Sequence, residues 1–201
     1  LGDVAGSLSK ALARAGAEVS VVLPLYDEVP EWARREMTFV RMLHVALSWR
    51  NQTCGVYTLT RDGVTYYFLD NGYYFRRREL YGHYDDGERF AFFCKAALDM
   101  LPALELHPDV IHCNDWQAGF VPLLARLRAA ENPAFGNVAT VFTVHNLRYQ
   151  GRFGRDTLNL LNVGQEFFSP EGVEFYGDVS FMKAGLMYAD VVSTVSETYA
   201  K

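Results

Sequence analysis

Four short β-branched stretches, Glu18–Leu23, Asp109–Cys113, Val138–Val144 and Asp190–Val195, each follow a segment with helical spacing of its apolar residues. That alternation constrains the fold more than any other feature. Parallel strands need a crossover between them, and a helix is the usual crossover. The pattern predicts an α/β fold, a Rossmann-like parallel sheet with helices on both faces. The first helical segment, Asp3–Ala15, places Val4, Leu8, Ala11, Leu12 and Ala15 on one side, with Asp3 as its N-cap and Gly16 as its stop. Helix, glycine and strand make the later half of a βαβ unit whose first strand would precede residue 1. The chain opens on Leu1-Gly2-Asp3 and ends on Tyr199-Ala200-Lys201 as another helix begins, so residues 1–201 are expected to form one domain cut at both ends.

Residues 37–69 break the rhythm. Val40–Ser48, Cys54–Leu59 and Val64–Leu69 are β-rich, and Arg61-Asp62-Gly63 between the last two is a hairpin signal. A β-rich hairpin insertion on the main sheet is expected there. Residues 70–84, rich in Tyr, Gly and Arg, read as a surface loop. A helix over Asp86–Leu106 carries Phe90, Phe93, Ala97 and Leu101 on one face, with Pro102 shortening or kinking its end. Further helices are expected over Gln117–Ala129 and Asp178–Tyr188, with mostly loop between 145 and 177.

The function classes narrow with the charge. A formal net charge of −5 with 21% charged residues offers no long-range attraction for phosphate backbones, which argues against a nucleic-acid partner. No apolar run is long enough to span a bilayer and no signal peptide is visible, so no membrane partner is expected. The three cysteines, Cys54, Cys94 and Cys113, are odd in number and form no C-x-x-C, which suits a reduced, cytoplasmic protein. The histidines do not cluster at ligand spacing, and no metal or other cofactor is expected.

In open α/β sheets, ligands bind beyond the carboxyl ends of the strands. Four segments occupy such places: Leu1-Gly2-Asp3, His112–Gly119, His145–Gly151 and Ser193–Ser196. Gly2-Asp3 could meet a phosphate at a helix start, but locally an ordinary turn explains it better. Asn114, Asp115, Trp116 and Gln117 combine hydrogen-bonding groups with an aromatic face, which suits a sugar. Asp115 reads equally as a helix cap and Trp116 equally as core. His145-Asn146 follows a strand directly, and Tyr149, Gln150 and Arg152 continue a polar, aromatic run of the kind found on carbohydrate surfaces. Lys183 lies mid-helix, where lysines are usually solvated. No G-x-G-x-x-G follows any strand, which disfavours a dinucleotide-dependent oxidoreductase.

Four stretches in order, Leu1-Gly-Asp-Val4, Pro108–Gly119, Phe142–Gly151 and Ser180–Asp190 followed by Thr194-Val-Ser196, resemble the glycogen and starch synthase family. The second and third are specific, the first is weak by itself, and the likeness spans nearly the whole chain. It implies the N-terminal, acceptor-side half of a bacterial GT-B glycosyltransferase, with the C-terminal nucleotide-binding domain absent. Such an enzyme moves glucose from ADP-glucose to the non-reducing end of an α-1,4-glucan such as glycogen, with retention and without metal. Carried over by position, Gly2 and Asp3 resemble the end of the donor loop, and Gln117 stands where many members have His, with its backbone carbonyl free to face the reacting carbon. His145 is implied as catalytic alongside Gln117; Asp115, Trp116, Asn146, Tyr149, Gln150 and Lys183 are implied to line the acceptor cleft. By the same likeness, the isolated chain is expected to be inactive. A related transferase using UDP-glucose or another acceptor stays open, as does a noncatalytic glucan-binding module built on Tyr73, Tyr74, Tyr81 and Tyr84.

Overall fold

The computed structural model describes residues 2–132 and 135–197, with side chains from residue 6 onward. The chain packs as two compact units: Leu1–His44 with Thr53–His83, and Val45–Gln52 with Tyr84–Lys201.

The first unit opens with helix α1 (Gly2–Arg14), so Asp3 falls inside the helix rather than at its cap. Gly16 at φ 95° closes it, and the Ala17 amide donates to the Leu12 carbonyl at 3.1 Å. Strand β1 (Val19–Pro24) follows, and after the short helix α2 (Glu31–Glu36) come β2 (Thr38–Leu47), β3 (Arg50–Arg61) and β4 (Val64–Asp70), with the stretch Val45–Gln52 at the β2–β3 turn assigned to the second unit. The sheet order is β1-β4-β3-β2. The β3–β4 hairpin turns on Asp62 and Gly63, at φ 53° and 77°, two left-handed residues as a tight hairpin of matching twist requires. Lys10 on α1 pairs with Asp62 at 2.8 Å and holds its carboxyl below the usual range. One expectation shifts: β4 is not confined to the insertion, because it runs parallel to β1 from Val19↔Val64 to Pro24↔Leu69. The inserted piece is therefore the hairpin β2–β3. Residues 70–84 also hold more than a loop. Asn71 caps helix α3 (Gly72–Phe75) by accepting from the Tyr74 amide at 3.1 Å, and its Nδ2 donates to the Thr53 carbonyl at 2.9 Å. Tyr74 and Phe75 are thereby sealed from solvent.

The second unit is built on three parallel strands, β5 (Val110–Asn114), β6 (Ala139–Val144) and β10 (Val191–Thr194), in the order β10-β6-β5. Helix α4 (Asp86–Ala103) stops before Leu106, with Glu105 at φ 55° ending it just past Pro102. It is enclosed rather than one-sided: Phe90 through Ala96, Leu98 and Met100 are all buried, while Ala97 and Leu101 are half-buried. The expected helix from Gln117 divides into a 3-10 turn at Trp116–Ala118 and α5 (Val121–Ala129), which has Pro122 in its first turn. Beyond β6, the stretch expected to be loop contains β7 (Arg152–Phe153), α6 (Thr157–Leu161), β8 (Glu174–Phe175) and β9 (Asp178–Ser180), with a small antiparallel sheet β7-β9-β8. Ser180 ends β9 and caps α7 (Phe181–Tyr188), accepting from the Lys183 amide at 3.1 Å, which sets the helix start three residues later than Asp178.

Two tight contacts lock this unit. A Cβ on Gly185 would lie 2.5 Å from the ring of Phe142, so α7 sits directly on β6. A Cβ on Gly119 would run into the Phe181 backbone carbonyl, which cannot rotate away. On α4, Lys95 is 7% exposed and forms no ion pair among the described residues; Nζ donates to the Leu161 carbonyl at 3.0 Å and to Asn162 Oδ1 at 2.5 Å. Burial lowers its pKa to about 8, with Asp99 opposing.

Gly119→Ala is expected to destabilise the protein by about 1–3 kcal/mol, read as a lowered urea midpoint. For Lys95 the sign follows from its depressed pKa. Between about pH 8 and the ordinary 10.5, the unfolded chain holds a proton that the folded chain has released, so stability rises with pH. The gain is about 3 kcal/mol across that window. The buried thiol of Cys94, pushed up to about 12, acts oppositely above pH 9. The difference between wild type and Lys95→Met isolates the lysine, and it should move in favour of wild type as pH rises from 8 to 10.5.

Candidate functional site

The carboxyl ends of β5 and β6 release the two segments singled out from sequence, and one carboxylate joins them. Asp115, directly after β5, has φ 55° and ψ −177°, a backbone conformation that side-chain-bearing residues rarely hold. Its amide donates to the Thr143 carbonyl at 3.0 Å. Its side chain does not cap the following turn; Oδ1 accepts from the His145 amide at 2.8 Å and the Asn146 amide at 3.3 Å. The helix-cap reading of Asp115 is thus replaced by a tether between two loops.

The other end of the 145–151 loop is held by the start of α7. The amides of Phe181 and Met182 donate to the carbonyls of Gly151 and Gln150 at 3.0 and 3.1 Å, and Ser180 Oγ donates to the Gln150 carbonyl at 3.2 Å. Beneath the loop lies Trp116, 5% exposed, edge-on to Phe90 with ring centroids 4.8 Å apart and against Phe153 at 5.7 Å and Phe181 at 6.2 Å. Gly151, at φ 57°, rests on this indole so closely that a Cβ would overlap it. Trp116 is therefore core that supports the loop, not a sugar-stacking face.

Along the strands, one face of the sheet carries a polar row. Asn114, Thr143 and Ser193 stand in register across β5, β6 and β10. Thr143 Oγ1 lies 2.6 Å from His112 Nε2 and 2.7 Å from Ser193 Oγ. His145 Nε2 lies 2.9 Å from Asn114 Oδ1. Burial, and secondarily the nearby His145, push the pKa of His112 down, which favours its neutral form.

The predicted residues fall into separate groups. Asp115, His145 and Asn146 come together. Asn146 Oδ1 accepts from the Arg148 amide at 3.0 Å, and Tyr149 is exposed on the same loop. The Gln150 side chain folds back to donate to the Leu147 carbonyl at 2.5 Å. The Gln117 carbonyl accepts from the buried Cys94 thiol at 3.3 Å, which points it toward α4. The Gln117 side-chain oxygen is buried with no hydrogen-bond partner among the described residues. Lys183 donates to the carbonyls of Pro170 at 2.5 Å and Glu174 at 2.6 Å, a strut from α7 to the loop before β8 and to the start of β8 itself. Gly2 and Asp3 belong to the first unit, and the Asp3 side chain lies outside the described residues. Asn114, read from sequence only as one hydrogen-bonding group of its loop, gains a partner in the structure; strand parity places it with His112 on one face, at the end where His145 emerges.

No group of three or more His, Cys, Asp or Glu side chains suited to a metal ion occurs among the described residues, and no helix among them is long and apolar enough to cross a membrane.

The chain is 50% identical over 200 residues to the glycogen synthase of Anoxybacillus flavithermus and 51% identical over 201 residues to that of Geobacillus stearothermophilus, covering 99% of this chain in each case. It spans 41% of the length of those relatives. The catalytic domain of starch synthase IV from Arabidopsis thaliana, solved bound to ADP and acarbose, superposes with a TM-score of 0.90 at 30% identity over 99% of this chain and 42% of its own. That likeness identifies the α/β architecture as the GT-B type. Residues 1–201 match the model of the starch synthase catalytic domain from end to end, and the chain belongs to that family.

Proposed function

We propose that this chain is the acceptor-side part of a retaining glucosyltransferase that moves glucose from ADP-glucose to the non-reducing end of an α-1,4-glucan, in the synthesis of glycogen. One observation carries the reading: the His145-Asn146 loop is fixed by the Asp115 carboxylate and the Asn114 side chain at the carboxyl ends of two parallel strands. Such a loop presents an imidazole, an amide and the exposed phenol of Tyr149 from a rigid base, the set of groups that hydrogen-bonds and stacks on a sugar. Glycogen synthase relatives at about half identity support the glucan acceptor, and the ADP in the starch synthase IV structure supports an adenine nucleotide donor.

In glucosyl transfer, positive charge develops on the sugar ring and negative charge on the departing diphosphate. Groups held in place before the reaction stabilise that charge without reorganising. On this chain His145 would hold a hydroxyl of the transferring glucose, Asn146 and Tyr149 would line the path of the acceptor, and Gly2 and Asp3 would belong to the donor loop. Gln117 would act by packing beside the sugar, with its carbonyl turned toward Cys94. No step calls for a metal. A surface glucan-binding role is favoured by the exposure of Tyr73, Tyr81 and Tyr84, but Tyr74 cannot take part in it, being fully buried.

With radiolabelled donors, a full-length protein carrying this chain should incorporate glucose into glycogen from ADP-glucose in preference to UDP-glucose, and EDTA should leave the rate unchanged. Incorporation from neither donor would overturn the transferase reading. His145→Ala should lower kcat by about 100-fold with a smaller change in glycogen affinity. Replacing Tyr73, Tyr81 and Tyr84 together should weaken retention on immobilised glycogen while leaving transfer to short soluble glucans near wild type.

A further inference from the structure

Asn114 and His145 come from different strand ends, thirty-one residues apart, and meet through a single polar contact: His145 Nε2 to Asn114 Oδ1 at 2.9 Å. An amide oxygen only accepts, so the ring nitrogen facing it must carry the hydrogen. Backbone geometry reinforces the pairing. The Asp115 carboxylate holds the amide of His145, while the strained φ of Asp115 turns the chain sharply after Asn114. The imidazole is therefore held both at its backbone and at its far nitrogen. Nδ1 makes no hydrogen bond among the described residues.

We propose that Asn114 is a positioning residue for His145: it fixes the neutral imidazole as the Nε2–H tautomer and leaves Nδ1 as a lone-pair acceptor for a substrate hydroxyl. The inference rests on the transferase reading for its consequence but not for its geometry. A free imidazole exchanges between two tautomers and rotates about its bonds to the backbone. A ring tied at Nε2 does neither, so a sugar hydroxyl meets an acceptor already oriented toward it. His112 does not compete for Asn114, because its own Nε2 is taken by Thr143 Oγ1, which is also within hydrogen-bond distance of Ser193. The two histidines of this face are thus held by separate partners, a strand-end amide for one and a mid-sheet hydroxyl for the other.

The test uses a full-length protein with 15N-labelled histidine, the His145 signals being assigned by their loss in His145→Gln. Imidazole nitrogen shifts at a pH where the ring is neutral should show the Nε2–H form alone in wild type, and a mixture of both tautomers in Asn114→Leu. Transfer from ADP-glucose should fall about tenfold in Asn114→Leu. In Asn114→Asp, which keeps an acceptor oxygen at the same place, the Nε2–H tautomer should be retained. An Nδ1–H ring in wild type, or an unchanged tautomer in Asn114→Leu, overturns the proposal. So does a tautomer shift without loss of turnover while His145→Gln is inactive. If His145→Gln retains full activity, the catalytic reading of His145 fails, and the nitrogen shifts still decide whether Asn114 fixes the ring.

Discussion

The Asp115 carboxylate is the contact on which the candidate site depends. Two parallel strands end side by side, and each must hand its chain to a loop without leaving buried amides unpaired. Asp115 satisfies the two amides after β6 from the end of β5, so the loops become one object. The cost is a backbone conformation, φ 55° with ψ −177°, that glycine would hold more easily. An aspartate survives there because its short side chain reaches the neighbouring loop, and its charge makes those hydrogen bonds stronger than an amide's would be.

The far end of the loop is secured by different physics. The first amides of α7 have no partners within their own helix, and they find the carbonyls of Gln150 and Gly151. Trp116 fills the space below, and Gly151 lets the backbone settle onto the indole. Tether, helix start and aromatic floor act on one seven-residue segment from three sides. That explains how a segment without regular secondary structure can offer side chains in fixed positions. Preorganisation of this kind is what charge stabilisation in a transfer reaction requires.

Much of the architecture was legible because it follows from periodicity. The four β-branched stretches became β1, β5, β6 and β10, and Asp62-Gly63 turned as its composition demands. What misled is also physical. The helix expected from Gln117 divides at Gly119 and Phe120, with Pro122 in the first turn of α5 marking the new start, and Gly119 there lies against the Phe181 carbonyl sixty-two residues away in sequence. The small sheet β7-β9-β8 consists of strands of two or three residues, too short for alternation to be seen. Tyr74 sits in a polar, tyrosine-rich run, but the Asn71 cap folds that run into a turn that buries it. At the site, the right loops were legible while the division of labour within them was not. Trp116 and Lys183 carry the residue types of a binding cleft, yet one is floor and the other strut.

That division points to a general feature of this half of the fold. The polar groups best suited to touch a ligand are held by groups that themselves face inward or along the sheet. His145 leans on Asn114, Asn146 leans on Asp115, and the loop that carries Tyr149 leans on α7. The buried lysine follows the same logic at a distance. Lys95 gathers the end of α6 with its ammonium, donating to the Leu161 carbonyl and to Asn162 Oδ1, and the Asn162 amide passes the connection on to the Ser48 carbonyl at 3.2 Å. Desolvating that ammonium opposes folding, whereas removing it would strand the acceptors it serves. Specificity of arrangement, rather than added stability, is the physical return on such a group, and the strained aspartate at the head of the site shows the same trade.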